Sequence, residues 1–512
     1  MRETTNNKTI AKNTLFLYIR MMFTLFVSLY TSRVILDILG VNDFGIYQSV
    51  GGIVGFLSFV SSALSTGSSR FITFELGTGN KEKLRRTFST ILTVHIILAL
   101  LIAIIAEISG PWFLYNKLII SPDRMDAAVF VFHVSIFTAV VSLTQVPYNA
   151  SIIAHEKMSI YAYVSIFEVS AKLLIVYLLP LGGIDKLIFY AVLLCAVQIG
   201  VMLFYRIYCI SNFNETRYKF IFDKTIFKEI AGFSGWSLFA NASIALNSQG
   251  VLLLLNMFFS PTVVAARAIS IQVNMAATQF VNNFRTAVNP QIVKQYASGN
   301  YEESKELLLS STKYSYYLML ILSFPICLLA KPLLELWLVE VPDYTVIFLQ
   351  IVIVQSLFQV FDYSFYMALY AKGRLRENAL ISPTISFLIF PVTYFLFQSG
   401  YSPVTLSWAS LIAYAIIGVV VKPIIIIKVV DYKKKDILKV FTSCWWVSLC
   451  ALPIPIICNF IFDKGTMIGF ISLGMITIIS VALSVFFIGL DQKIRKKIID
   501  VISNKISLKF NI

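Results

Sequence analysis

The sequence predicts an all-α polytopic membrane protein of about fourteen transmembrane helices: two pseudo-symmetric six-helix lobes and two additional C-terminal helices. Three observations predict it. Apolar runs of about 20 residues, the length that crosses a bilayer, recur along the whole chain. Lys and Arg alternate between crowded and sparse loops. A phrase near residue 80 is repeated near residue 300. The composition agrees: 58% hydrophobic and 13% charged residues, with a mean hydropathy of +0.79, lie far from the soluble average.

In order, the runs are 14–38, 44–68, 88–110, 128–152, 158–181, 186–207, 231–258 and 262–284, then 312–338, 345–371, 378–399, 404–428, 438–462 and 466–490. The first follows Lys8 and Lys12, but it is too long for a signal-peptide core and no small-residue cleavage motif follows it, so it reads as an uncleaved anchor. With the N-terminus inside, the inner segments carry 32 Lys and Arg, including Lys433, Lys434, Lys435 and the tail Lys493, Arg495, Lys496 and Lys497. The outer segments carry four: Lys117, Arg124, Lys186 and Lys464. One span more or fewer would scramble that asymmetry, so the count is even and both termini are expected in the cytoplasm.

The net charge of +15 follows from this topology and does not point to nucleic acid, because basic inner loops are drawn to anionic lipid. None of the six cysteines forms a CxxC pair. His95, His133 and His155 are scattered without ligand spacing, so no metal site is expected. Dinucleotide, Walker and GxSxG motifs are lacking, so neither a bound nucleotide cofactor nor a serine nucleophile is indicated.

The repeated phrase sets FITFELGTGNKEKLRRTFSTI at 71–91 beside PQIVKQYASGNYEESKELLLSS at 290–311. At an offset of 220, Gly79-Asn80 falls on Gly299-Asn300. The glycines suit a left-handed helix end, Asn80 and Asn300 suit caps of the next helices, and Glu303 stands where a capping box places it. The offset reappears in the spans. Ser135, Thr138, Ser142, Gln145 and Asn149 form one face of span four, with Ser135 answering Gln355 and Ser142 answering Asp362 in a second stripe of Gln355, Gln359, Asp362 and Tyr366. Span eight carries Arg267, Ser270, Asn274, Thr278, Asn282 and Arg285, and span two carries Gln48, Gly51, Gly55, Ser58, Ser62 and Ser65. The expected domains are therefore a lobe at 1–210, a cytoplasmic linker at 211–230, a second lobe at 231–430 and an additional helix pair with a basic tail at 431–512. Parallel halves of this kind enclose a substrate path in transporters, with alternating access as the mechanism.

The stripes of spans two and four read equally well as glue between helices or as the lining of a cavity. Arg267 with Asn274 and Asn282 points to an aqueous interior, snorkelling of Arg267 to the outer interface being its alternative. Arg20 and Arg33 lie on span one about 140° apart around the helix. Arg33 and Asp37, and Glu168 and Lys172, are i,i+4 pairs; the second pair reads as mutual neutralisation or, more sharply, a proton or ion relay. Asp362, without a partner on its own helix, is the candidate coupling or gating carboxylate. Lys331 with Glu335, and Lys422, near span ends, are expected at the interface. The surplus of embedded cations, with Arg285 at the inner mouth, favours an anionic substrate, because guanidinium binds phosphate bidentately.

The first-span ending TSRVILDILGVNDFGIYQSV and the stretch VAARAISIQVNMAATQFVNNFRTAVNPQIVKQYASGNYEES, on this two-half framework, resemble the polysaccharide flippases of the multidrug/oligosaccharidyl-lipid/polysaccharide (MOP) exporter superfamily, which have a MATE-like fold. The resemblance implies a non-enzymatic flippase in the bacterial inner membrane. It would move a lipid-linked oligosaccharide on polyprenyl pyrophosphate to the outer leaflet for O-antigen, capsule or a similar polymer, with Arg20, Arg33 and Arg267 matching the family's pyrophosphate-holding arginines. It also implies membrane lipid around the protein, H+ or Na+ as coupling ion and a polysaccharide polymerase as partner. Fourteen spans resemble the lipid II flippase arrangement, whose additional pair flanks a groove for the lipid tail; spans 438–462 and 466–490 are the counterparts here. Two rival readings are a cation- or proton-coupled multidrug antiporter, which Asp37 and Asp362 would serve, and a membrane-bound polymerase. The longest outer loop, about 111–127, lacks the histidine such an enzyme would use.

Overall fold

The computed structural model describes residues 2–56, 71–76, 78–155, 157–229, 245–374 and 376–492, with a few isolated positions besides, and it describes no side chains for residues 2–20. The expectations for Ser58, Ser62, Ser65, Lys493, Lys497 and the Arg20 side chain, and the first part of span seven, lie outside the described residues. The described elements are helical throughout, without a strand among them. Among the described residues, ten helices are long and apolar enough to cross a membrane, eleven if a bent pair counts as one. The chain is a multi-pass membrane protein.

Spans one and two form one helical run, α1 (Arg2–Phe56), broken at Gly40 with φ 78° and ψ 165°. Only glycine enters that conformation without strain. There follow α2 (Lys81–Lys117), α3 (Met125–Ala154), α4 (Met158–Leu178) and α5 (Lys186–Asn212). A π-helical turn at Leu246–Gly250 leads into the short α6 (Val251–Phe258). Next is α7 (Pro261–Ala297), whose 37 residues rise about 55 Å at 1.5 Å each. It is long enough to cross a membrane although its polar stripe keeps it below the hydropathy of the ten.

Span nine is not straight. α8 (Tyr301–Leu328) and α9 (Ala330–Trp337) meet at 80°, because Pro332 has no N–H for the carbonyl of Leu328 and cannot extend the ladder. α10 (Thr345–Lys372), α11 (Arg376–Gln398) and α12 (Thr405–Ala415) follow. Then comes a second π-helical stretch, Ile416–Val421, before α13 (Lys422–Val430). Pro423 removes the N–H that the carbonyl of Val419 would meet, which suits the widened turn there. α14 (Lys434–Ala451), α15 (Pro453–Ile461) and α16 (Met467–Ser484) complete the described chain.

The repeated phrase folds into the same turn twice. Gly79 (φ 74°) and Gly299 (φ 82°) are both left-handed, and their N–H groups donate to Leu76 and Tyr296, each three residues back. The caps differ. Asn80 Oδ1 accepts from Lys83 N at 3.0 Å, whereas the Asn300 side chain makes no cap bond and its Nδ2 donates to Gln295 Oε1 at 3.0 Å. The capping box expected at Asn300 and Glu303 is therefore not formed.

The chain divides into two compact units: residues 1–269, 338–344 and 386–403, and residues 270–337, 345–385 and 404–512. In unit 1, α2 packs on α3 and α3 on α5. One apolar cluster centres on Ile72, Phe88 and Tyr148 and another on Ile46, Leu114 and Phe132. The segment after α5 is strapped to α2. Ser89 Oγ accepts from the Lys219 N–H at 3.4 Å, Thr90 Oγ1 from the Asp223 N–H at 3.2 Å, and Thr93 bonds the Tyr218 hydroxyl at 3.0 Å. In unit 2, α8 packs on α10, α14 and α16 around Tyr317, Phe361 and Phe365. Outward-facing Ile108, Leu181, Phe460 and Ile468 are largely exposed, as suits side chains that meet acyl chains.

Candidate functional site

Unit 1 holds a cavity of about 320 Å³, within the size range of small-molecule pockets. α1 contributes Tyr47, Gly51 and Gly55, α3 contributes Ser135, Thr138 and Ser142, and α5 contributes Gln198. Among the described residues, no Asp, Glu, Lys, Arg or His lines it. The stripe of span four thus does both of the things expected of it. Its upper part faces the cavity; its lower part is tied, Gln198 donating to Gln145 Oε1 at 3.0 Å and Gln145 to Asn149 Oδ1 at 3.4 Å. Beside it Arg206 donates to Thr144 Oγ1 at 2.8 Å and lies over the Tyr148 ring.

Unit 1 also carries a clasp, at the end where Asp43, Arg124 and Asp185 meet, that the loop charges did not disclose. Arg124 donates from Nε to Asp43 Oδ1 at 2.9 Å, from Nη2 to Asp43 Oδ2 at 2.5 Å and from Nη1 to Asp185 Oδ2 at 2.5 Å. Asp185 also caps α5, accepting from Leu187 N at 3.0 Å and Ile188 N at 3.2 Å. Burial pushes the Asp185 carboxyl up, but the Arg124 hydrogen bond and the capping N–H groups outweigh it and hold the group below the usual carboxylate range. Lys186 reaches back to the Ile38 carbonyl at 3.2 Å, bracing the Gly40 break.

The other unit 1 candidates are placed one by one. Arg33 and Asp37 are both exposed, and no ion pair forms between them. Glu168 and Lys172 do pair, at 2.6 Å and half-buried. Arg267, on α7, is only 4% exposed. The histidines are not brought together: His95 bonds the Ile91 carbonyl, His133 meets Glu107, and His155 meets Glu215 while stacked on Phe213.

Unit 2 gathers the candidates of spans eight and ten. Asn274, buried, accepts from Ser356 Oγ at 2.7 Å. The Arg285 guanidinium lies over the Tyr363 ring at 5.2 Å and reaches Asn282, which is exposed, at 3.4 Å. Asp362 has a partner that the sequence did not reveal: Lys422 Nζ sits 2.8 Å from its Oδ1. Lys422 also donates to Asn378 and lies over the Tyr366 ring at 5.5 Å. Expected at an interface, Lys422 is instead 2% exposed; Lys331 and Glu335 are the pair left at the surface. The Asp362 carboxylate is thereby held against a tethered ammonium, with the half-buried Arg285 guanidinium as a second cation near it.

The MatE family profile matches residues 17–178, and the sequence matches no curated protein significantly. Among solved structures, the lipid II flippase MurJ superposes with a TM-score of 0.71 at 13% identity, covering 92% of this chain and 97% of that one. An inward-facing multidrug resistance MATE transporter of the MOP superfamily gives 0.66 at 15% identity, covering 80% and 96%. A MOP-superfamily transporter from Pyrococcus furiosus, with a binding pocket of reverse polarity, gives 0.58 at 14% identity, covering 81% and 93%. These neighbours are transporters and flippases, not enzymes.

Proposed function

From the premise that this chain has the MATE-like fold of the MOP superfamily, we propose that it flips a polyprenyl-pyrophosphate-linked oligosaccharide from the inner to the outer leaflet by alternating access. The observation that carries this reading is Arg267, buried to 4% exposure on a helix long enough to cross the bilayer. A charge enclosed among membrane helices costs at least about 2.5–3.5 kcal/mol on insertion scales, and such residues commonly line a polar path. The unit 1 cavity supports the same reading from the other end of the substrate. Hydroxyl and amide groups suit the donors and acceptors of a neutral sugar, and a cation would meet no carboxylate there.

In this mechanism Arg267, with Arg20, Arg33 and Arg285, holds the pyrophosphate, and Asn274 and Asn282 supply neutral polar contacts. Asp362 with Lys422, and Glu168, Lys172 and Asp37, serve coupling to H+ or Na+ or gating between two lobes at 1–210 and 231–430. The setting is the bacterial inner membrane with both termini cytoplasmic, and the flipped unit feeds a polysaccharide polymerase. The MurJ neighbour is itself a flippase of a lipid, lipid II. The antiporter reading retains one observation in its favour, the exposed Asp37.

The test is reconstitution with a fluorescent polyprenyl-pyrophosphate glycan, scoring leaflet exchange. Arg267→Ala is expected to lower exchange about tenfold or more, the worth of a charge-assisted contact, at unchanged protein level. Arg267→Lys, which keeps charge but loses the planar fork, should fall between. Wild-type vesicles that leave the glycan lipid in place but exchange a short-chain cationic drug for protons would assign the chain to the antiporters instead.

A further inference from the structure

The second copy of the repeated phrase opens on a cavity that the transport reading leaves unused. It lies in unit 2, on the face expected to be cytoplasmic, and has a volume of about 400 Å³. The last turns of α7, α10 and α13, the first turn of α8 and the loop before α14 surround it. They contribute Tyr296, Tyr301, Lys305, Lys372, Tyr432 and Lys433. Tyr296 and Tyr301 meet edge to face at 4.8 Å. Burial, reinforced by Tyr296 and Glu302, pushes the Tyr432 phenol up, so it stays a neutral hydroxyl donor.

The lysines are held in place without being used up. Lys305 contacts Glu302 at 2.5 Å and Asp436 at 3.3 Å. Lys372 donates to the Val429 carbonyl at 2.8 Å and to Asp431 Oδ2 at 3.1 Å. An ammonium has three donors, so each keeps one. Lys433 is exposed and forms no ion pair among the described residues. Three ammonium groups on the lining meet three carboxylates, Glu302 and Asp431 on the lining and Asp436 beside it, so the pocket itself is balanced, and Lys434 and Lys435, which follow directly in sequence, bring the positive charge. Basic pockets between membrane helices on the cytoplasmic side are a recurrent setting for phosphate headgroups, and tyrosine rings suit the same boundary layer.

We propose that this pocket is a binding site for a phosphate group, walled by Tyr296, Tyr301 and Tyr432 and held by the remaining donors of Lys305 and Lys372 and by Lys433. The group comes from an anionic phospholipid of the inner leaflet or from soluble phosphate. The site stands independently of the transport reading.

The test uses the full-length protein in detergent. Native mass spectrometry reads retention of phosphatidylglycerol against phosphatidylcholine, and phosphorus NMR reads binding of inorganic phosphate. Lys433→Gln should weaken binding about fivefold, the effect of removing one lysine near a charged headgroup. Asp431→Asn should strengthen it by a similar factor by releasing the Lys372 ammonium. Asparagine is suited to the left-handed backbone of that position (φ 63°), so this second variant is expected to fold even if the first is impaired. Opposite responses with phosphatidylglycerol assign a lipid source, and opposite responses with inorganic phosphate alone assign a soluble one. Binding of both probes that ignores both substitutions, or no binding of either, overturns the site.

Discussion

At the scale of single residues, Lys422 can be buried to 2% exposure only because Asp362 stands 2.8 Å away. Removing one member of a buried pair strands the other charge, at a cost of ~3–5 kcal/mol, whereas replacing both by apolar groups is often neutral. Asp362→Asn is therefore expected to lower thermal stability sharply, and the double variant Asp362→Asn, Lys422→Met to recover most of it. A denaturation cycle over the four proteins measures this; additive losses would show that the two side chains do not depend on each other. Asp362 was legible in the sequence because a carboxylate in an apolar run stands out. Its partner was not, since Lys422 lies sixty positions away near the end of another run, and helical periodicity reports faces of one helix rather than encounters between two. The Arg124 clasp was hidden for the same reason, its carboxylates coming from the second half of α1 and from the N-cap of α5.

At the scale of elements, the repeated turn offers an internal control. Both copies have left-handed glycines, but only Asn80 caps with its side chain. Loss of a capping side chain costs about 1 kcal/mol, so Asn80→Ala should lower the melting temperature of the purified protein while Asn300→Ala leaves it nearly unchanged. Equal effects would mean that the two turns are held by something other than their caps. Apolar length located the helices well, and the Gly40 break falls between the first two expected spans. It did not foresee the 80° bend, which depends on Pro332 and on what the next turn packs against. α7 was legible as the run 262–284 although its polar stripe dilutes its hydropathy, but its extension to Ala297 was not.

At the scale of the whole molecule, the apolar runs and the charge asymmetry predict a polytopic membrane protein, and the helices and the matched folds agree with a MATE-like fold. The two carboxylates of the clasp respond to acid in opposite senses, burial pushing Asp43 up while Asp185 is held down, so the acid sensitivity belongs to Asp185. The Asp185 carboxyl is held below its ordinary value of 3.8, so the stability it contributes is present above that value and is lost as pH falls through the lower folded one. Asp185→Asn should melt below wild type at neutral pH, and the two curves should converge as the pH drops below 3.8. A gap that persists in acid would assign the effect to packing instead.

The strap after α5 carries a consequence for how such a chain can diverge. At Lys219 and Asp223 it is fastened through main-chain N–H groups, which every residue but proline possesses, to hydroxyls on α2. Its spelling is thus free to drift through almost any alphabet, while its length is not, because one inserted letter between those two positions would carry the second amide past its receiving oxygen. Selection on this connector should be visible as a ruler rather than as a motif.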